Sequence, residues 1–231
     1  MSARYAVFFA PDRHSPWREF GAHWLGRDEH DSSVLAQPRL AGISPAQLAR
    51  LTEEPRRYGF HATLKAPFRL AHGLDESAVV AQLETLAQRL KPALLSPLRV
   101  ATLGGFVALV PEQIPNSLNA LAAACVTELD LLRAPLREEE LARRRAAPLD
   151  SREAELLAQY GYPYVMERFR LHFTLTGPAT PAVVQRVAEM VAPQLARLNA
   201  DVPLWLDRLC LFIERTPGGQ FHRTIDLRLQ P

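Results

Sequence analysis

Two stretches of this chain can be laid one on the other: Arg57-Tyr58-Gly59-Phe60-His61-Ala62-Thr63-Leu64-Lys65-Ala66-Pro67-Phe68 and Arg168-Phe169-Arg170-Leu171-His172-Phe173-Thr174-Leu175-Thr176-Gly177-Pro178. Each carries His-x-Thr-Leu inside a run of alternating apolar and polar residues, stopped by a proline or a Gly-Pro break. That is how a half-buried strand reads. Side chains alternate faces along a strand. In the first stretch Phe60, Ala62 and Leu64 therefore share one face, and His61, Thr63 and Lys65 the other. In the second, Phe169, Leu171, Phe173 and Leu175 oppose Arg170, His172, Thr174 and Thr176. Two apolar faces ask for helices to cover them; two polar faces carry the same His and Thr with a cation each.

The same order of elements follows both strands. After the first, Asp75 can cap a helix with Val79, Leu83, Leu86, Ala87 and Leu90 at helical spacing. Two β-rich runs, Leu98 to Leu103 and Phe106 to Val110, then meet at Gly104-Gly105, a hairpin signal. After the second, a helix from about Pro181 to Leu198 is striped by Val184, Val187, Val191 and Leu195. The runs Trp205 to Arg215 and Phe221 to Leu229 join through Pro217-Gly218-Gly219. From His61 to Gly104 is 43 positions and from His172 to Gly218 is 46, so the strand-helix-hairpin unit is written twice.

An early strand, Tyr5 to Ala10, and a helix around Trp17 to Leu25 precede the first unit. Asn116 to Leu132 reads as an apolar-striped helix between the units, and Arg137 to Gln159 as a charged helical segment broken near Pro148. There, Arg143-Arg144-Arg145 with Glu138-Glu139-Glu140 reads as a solvated helix surface. The expectation is an α+β fold: one bilobal domain over residues 1–231, with units at about 57–111 and 167–230 and a helical segment at about 116–160 between them. Two antiparallel sheets, each backed by helices, should face each other across a cleft.

Bulk composition narrows the class. The 231 residues are 48% hydrophobic and 23% charged, with a net charge of +2; mean hydropathy is −0.10. No apolar run approaches the roughly 20 residues of a membrane helix, and no secretory leader pattern opens the chain, so a cytoplasmic protein with no membrane partner is expected. The low net charge and the lack of a basic stripe with interleaved aromatics favour a small substrate over an RNA end. Cys125 and Cys210 lie in apolar patterns and read as buried thiols. No metal-ligand spacing accompanies either histidine, so neither metal nor cofactor is expected. Of the remaining histidines, only His222, beside the second hairpin turn, is placed where it could reach the rim of a cleft.

Two histidines on polar sheet faces suit proton transfer near neutral pH, one as base and one as acid. The threonines two residues on can donate hydroxyls to phosphate oxygens, and Lys65 and Arg170 can add charge stabilisation. The pair His61-x-Thr63-Leu64 and His172-x-Thr174-Leu175 resembles the two signatures of the 2H phosphoesterase superfamily. The wider context of both stretches, with Arg4-Tyr5-Ala6-Val7-Phe8-Phe9-Ala10-Pro11, resembles its bacterial DUF1045 branch, whose usual label links it to phosphonate metabolism.

The resemblance implies a bilobal fold with pseudo-twofold symmetry and metal-independent hydrolysis of a cyclic phosphate or small phosphodiester. It assigns catalysis to His61 and His172 and phosphate contact to Thr63 and Thr174. Lys65, Arg170, Thr176 and Tyr5 are added by strand parity or placement as substrate-binding candidates. A non-catalytic module holding a nucleotide or RNA end, or a pathway scaffold, remains the alternative.

Overall fold

The computed structural model describes residues 3–146 and 148–230. In chain order it holds β1 (Arg4–Phe9), α1 (Pro16–Leu25), α2 (Pro45–Leu51), α3 (Glu53–Arg56), β2 (Ala62–Phe68), α4 (Glu76–Arg89), β3 (Ala93–Leu94), β4 (Leu98–Leu103) and β5 (Phe106–Pro111). There follow α5 (Asn116–Glu128), α6 (Glu138–Arg145), α7 (Ser151–Tyr160), β6 (Phe173–Thr174), α8 (Pro181–Asp201), β7 (Trp205–Leu206), β8 (Arg208–Glu214) and β9 (His222–Arg228).

Helix ends follow the sequence signals. Asp75 caps α4 by accepting from Ser77 N, and Ser15 caps α1 ahead of Pro16. The charged segment is two helices, α6 and α7, and Asp150 with Glu153 forms a capping box at the start of α7.

The class is α+β, with two antiparallel sheets and flanking helices as expected, but the sheets are unequal. One has seven strands in the order β4-β5-β6-β2-β1-β8-β9; the other is the β3-β7 pair. Both histidine stretches belong to the large sheet, where β2 and β6 are neighbours, so they do not oppose each other from separate sheets. The reason lies in the hairpins. The β4-β5 hairpin of the first unit pairs through β5 with β6 of the second. The β8-β9 hairpin of the second unit reaches β2 through β1. Each hairpin thus extends the other unit's strand, and what reads as two sheets is one.

One face of this sheet is covered by helices. Val79, Leu83 and Leu86 of α4, Leu118, Leu121 and Cys125 of α5, and Val184, Val187 and Val191 of α8 share one core with Val7, Phe9, Ala62, Leu109, Phe173 and Leu211. Phe60 stacks on Phe173 with centroids 4.9 Å apart, and truncating either ring would cost about 3–5 kcal/mol. The opposite face carries a small cluster, Ala6, Phe8, Ala10, Phe212 and Phe221, beside the polar residues of β2 and β6. Cys125 and Cys210 are buried free thiols, pushed up to about 12 by burial. Among the described residues no helix is long and apolar enough to cross a membrane.

Two strand boundaries differ from the alternation pattern. β2 runs through Pro67 to Phe68 with register shifts against β1: Phe8 pairs with Thr63, but Val7 pairs with Lys65 and Tyr5 with Phe68. These are bulges, each adding a residue to β2 and resetting which face the next side chain takes. β6 is only two residues long. Leu175 N and Thr176 N both bond to Val107 O, and Thr176 Oγ1 accepts from Val107 N, so side-chain and bifurcated bonding replace the ladder beyond Thr174.

Candidate active site

The pair Ala62↔Phe173 fixes the site. Both side chains point into the helix-covered core, so the residues flanking them point the other way. Continuing the antiparallel register by one residue in each direction sets His61 opposite Thr174 and Thr63 opposite His172. The result is a two-by-two array with the histidines on one diagonal, where Cβ atoms on neighbouring strands stand roughly 7–8 Å apart.

Both imidazoles are anchored alike. His61 Nδ1 donates to Gly59 O at 2.9 Å, and His172 Nδ1 donates to Arg170 O at 2.8 Å. In each, a backbone carbonyl two residues back selects the tautomer and frees Nε2 toward the array. Gly59 holds its carbonyl there with φ +84°, and a Cβ at that position would meet Glu29 Cβ at 2.7 Å. The Thr63 hydroxyl lies 3.3 Å from His61 Nε2 and donates to it in this tautomer.

The environments are not equivalent. The Phe8 ring lies 3.9 Å from the His61 ring, whereas His172 has Phe106 at 5.8 Å. Burial pushes His61 down to about 4, with the Gly59 bond opposing and the charge of His172 reinforcing the shift. Burial also lowers His172, opposed by the Arg170 carbonyl.

Two connected hollows open over the array. One, about 400 Å³, is lined by His172, Thr63, Arg170, Phe106 and Tyr162 among others. The second, about 440 Å³, is lined by His61, Thr174, Thr176, Tyr58, Arg4 and Arg144, and shares Thr63, Ala66, Phe106 and Tyr162 with the first. The structure therefore brings His61, His172, Thr63, Thr174, Thr176 and Arg170 to one cleft. The Thr176 hydroxyl is fully buried and already accepts from Val107 N, so it shapes the wall.

Lys65 and Tyr5 are not in the cleft, which corrects both parity-based expectations. The bulge around Leu64 turns Lys65 to the helix face with Val7. There its Nζ donates to Val126 O at 2.9 Å and Asp130 Oδ1 at 2.7 Å, with burial lowering its pKa and Asp130 opposing. Tyr5 packs beside Phe68 on that face, and burial raises its phenol. Its neighbour Arg4 is the one turned to the cleft. His222 pairs with Ile213 and lies 3.4 Å from Ser32 Oγ, lining neither hollow.

The residues missed in sequence are Arg4, Tyr58, Tyr162 and Arg144. Arg4 was legible, because it shares strand parity with Ala6 and Phe8. So was Arg144: three successive arginines on a helix point about 100° apart, and Arg144 shares the face of Leu141, three positions earlier. Arg143 and Arg145 are exposed as read, but Arg144 is half-buried, with its guanidinium 5.0 Å from the Tyr162 ring. Arg4 and Arg57 both donate to Glu214; burial opposes that carboxylate, but the two guanidinium groups hold it below its usual range.

The family described as "Protein of unknown function (DUF1045)" matches residues 63–222. The chain belongs to the DUF1045 family. Its family match takes in His172 and the array except His61 itself. Two relatives named "Ribose 1,5-bisphosphate phosphokinase PhnN" are similar to this DUF1045 chain. One, from Janthinobacterium sp. (strain Marseille), is 41% identical over 221 residues, covering 94% of the chain and 49% of that protein. The other, from Laribacter hongkongensis (strain HLHK9), is 40% identical over 222 residues, covering 94% and 50%. The chain thus spans about half the length of these relatives. A solved structure described as "Crystal structure of phosphoesterase" aligns over 100% of both chains at 14% identity, with a TM-score of 0.44.

Proposed function

We propose that this DUF1045 chain is a metal-independent phosphoesterase that opens a cyclic phosphate, or cleaves a small phosphodiester, with His61 as general base and His172 as general acid. The observation that carries this reading is the array itself: two imidazoles with matching Nδ1–carbonyl anchors, each just ahead of one of two neighbouring strands and opposite a threonine in the continued register. Holding a phosphate would need donors only. Two histidines turning Nε2 toward the array across a diagonal supply a proton acceptor and a proton donor on two sides of one phosphorus.

The assignment of base and acid follows from the electrostatics. His61 lies deeper, packed against Phe8, and burial disfavours its charged form more, so a single proton shared by the pair resides on His172. Water attacks phosphorus as His61 Nε2 takes its proton. The phosphorus–oxygen bond to the sugar breaks, and the departing oxygen takes the proton from His172 Nε2. One water is consumed, one phosphomonoester and one hydroxyl appear, and proton exchange with solvent resets the histidines. The hydroxyls of Thr63 and Thr174 donate to the non-bridging oxygens, Thr63 turning from His61 Nε2 to do so. Electrostatic stabilisation of this kind is commonly the largest catalytic term.

Among the described residues no group of three or more His, Cys, Asp or Glu side chains is arranged to hold a metal ion, and the chemistry above asks for none. The name of the two relatives concerns a ribose bisphosphate, which supports a phosphorylated sugar as the substrate class. The family resemblance drawn from the sequence adds phosphonate metabolism as the proposed setting.

The test is turnover of EDTA-treated protein on 2′,3′-cyclic nucleotides, ADP-ribose 1″,2″-cyclic phosphate and cyclic ribose phosphates, beside His61→Ala and His172→Ala. Turnover that survives EDTA and falls about 10³-fold or more in both variants is expected. Loss with EDTA and recovery with added metal, or binding without turnover that both variants retain, would sink the reading.

A further inference from the structure

We propose that Arg144 forms a second anion subsite beside the array, so that the preferred substrate carries, in addition to the reacting phosphate, a separate phosphomonoester. This deepens the phosphoesterase reading and rests on the same cleft.

Arg144 projects from α6 into the 440 Å³ hollow that also holds His61, Thr174 and Tyr58. Its guanidinium lies against the Tyr162 ring, whose position is shared by both hollows. No carboxylate lies within ion-pair distance of it among the described residues. Glu140, one turn earlier on its own helix, is taken up by Arg69 at 3.0 Å and by the Arg137 backbone N–H at 2.9 Å. Burial lowers the pKa of Arg144, with Tyr162 and Glu140 opposing. A partly desolvated cation with an aromatic ring for support and no direct ion-pair partner is costly unless an anion arrives, and a planar guanidinium suits phosphate in a bidentate mode.

The other charges of this hollow leave the role to Arg144. Arg4 is committed to Glu214, which also holds Arg57. Glu54 lines the outer wall and is exposed. In the His172 hollow Arg168 is paired with Asp150 at 2.6 Å and Arg170 is exposed to solvent, so a phosphate there stays hydrated. The reacting phosphorus belongs over the array where the hollows meet. The second phosphate then lies on the His61 side, under Tyr162 and α6, and a hollow of this volume accommodates a pentose between the two.

The probe is ribose 5-phosphate, a sugar with one phosphomonoester and no cyclic phosphate, titrated calorimetrically into wild type, the His61→Ala/His172→Ala double variant, Arg144→Met and Arg144→Lys. The expected result is binding to wild type, retention in the double histidine variant, a Kd raised roughly 10- to 100-fold in Arg144→Met and a smaller rise in Arg144→Lys. No binding to wild type, an unchanged Kd in Arg144→Met, or a Kd that depends on the histidines and not on Arg144 would each overturn the subsite. Should Arg144→Met fail to fold, an unchanged Kd in Arg144→Lys overturns it equally. The cyclic-phosphate panel separates the two ideas: no turnover there, with Arg144-dependent binding here, removes the chemistry and leaves the subsite.

Discussion

β2 and β6 begin from the same motif and end in different circumstances. β2 is a seven-residue strand hydrogen-bonded on both sides, with bulges that decide where its later side chains point. β6 is two residues long and is tied by irregular bonds to Val107 and by the Trp24 indole, which donates to Leu175 O at 2.8 Å. His and Thr take equivalent places in both because they flank the one registered pair, Ala62↔Phe173. The cations four residues downstream or two upstream do not. Lys65 is carried to the helix face and Arg170 to the cleft. Register transmits the motif only as far as the ladder stays regular.

The largest effect expected from this comparison separates the histidines by role. His61→Ala should cost about 10³-fold or more in kcat on any substrate, whereas His172→Ala should lose as much on an alkyl leaving group but only about tenfold on a p-nitrophenyl ester, which needs no acid. Equal losses on both esters would remove the base and acid assignment. Next, Thr63→Val and Thr174→Val should each lower kcat by about 10- to 100-fold with little change in KM, since their hydroxyls serve developing charge.

A crossed pair of variants tests the cations. Lys65→Met should destabilise by about 1–3 kcal/mol in chemical denaturation, through the orphaned Val126 carbonyl, and leave kcat/KM within about twofold. Asp130 keeps Arg133 at 2.8 Å, so no carboxylate is stranded. Arg170→Met should do the reverse: stability unchanged within about 0.5 kcal/mol and KM raised about tenfold. If Lys65→Met lowers kcat/KM instead, the bulge argument fails.

The smallest effect is in pH dependence. His61 sits at about 4 and His172 below the ordinary 6.5. The profile of kcat/KM should therefore be a bell on the acid side of neutrality, rising through about pH 4 and falling on a limb below pH 6.5. For stability the sign is that of a group depressed on folding: the unfolded imidazole takes a proton first, so stability is lost as pH falls from 6.5 toward about 4. His61→Asn should flatten that loss in thermal melts collected across the same window.

Much of this was legible because the residues concerned obey local rules. The α4 and α8 stripes, the Asp75 cap and the Gly104-Gly105 turn, with φ +54° and +91°, need no tertiary knowledge. Nor does the matched His-x-Thr pair. Lys65 and Tyr5 were misplaced because alternation assumes a strand without bulges, and those in β2 depend on its partner β1. The single large sheet was hidden for a related reason. Hairpin signals say that β4 meets β5 and β8 meets β9, but nothing local says which third strand each will join. Arg144 was obscured by charged neighbours that do face water; only its turn relative to Leu141 sets it apart.

The hairpin exchange bears on how the molecule comes to be. β1 waits for β8, some two hundred residues later, before its second edge is covered, and β5 waits for β6. Contacts of such long sequence separation slow folding and leave edges open meanwhile. During synthesis, β2, which follows His61, gains its neighbour from the second histidine stretch only after Phe173 has emerged. The chain therefore acquires its cleft late and all at once, and a partly made chain has no half-strength version of it.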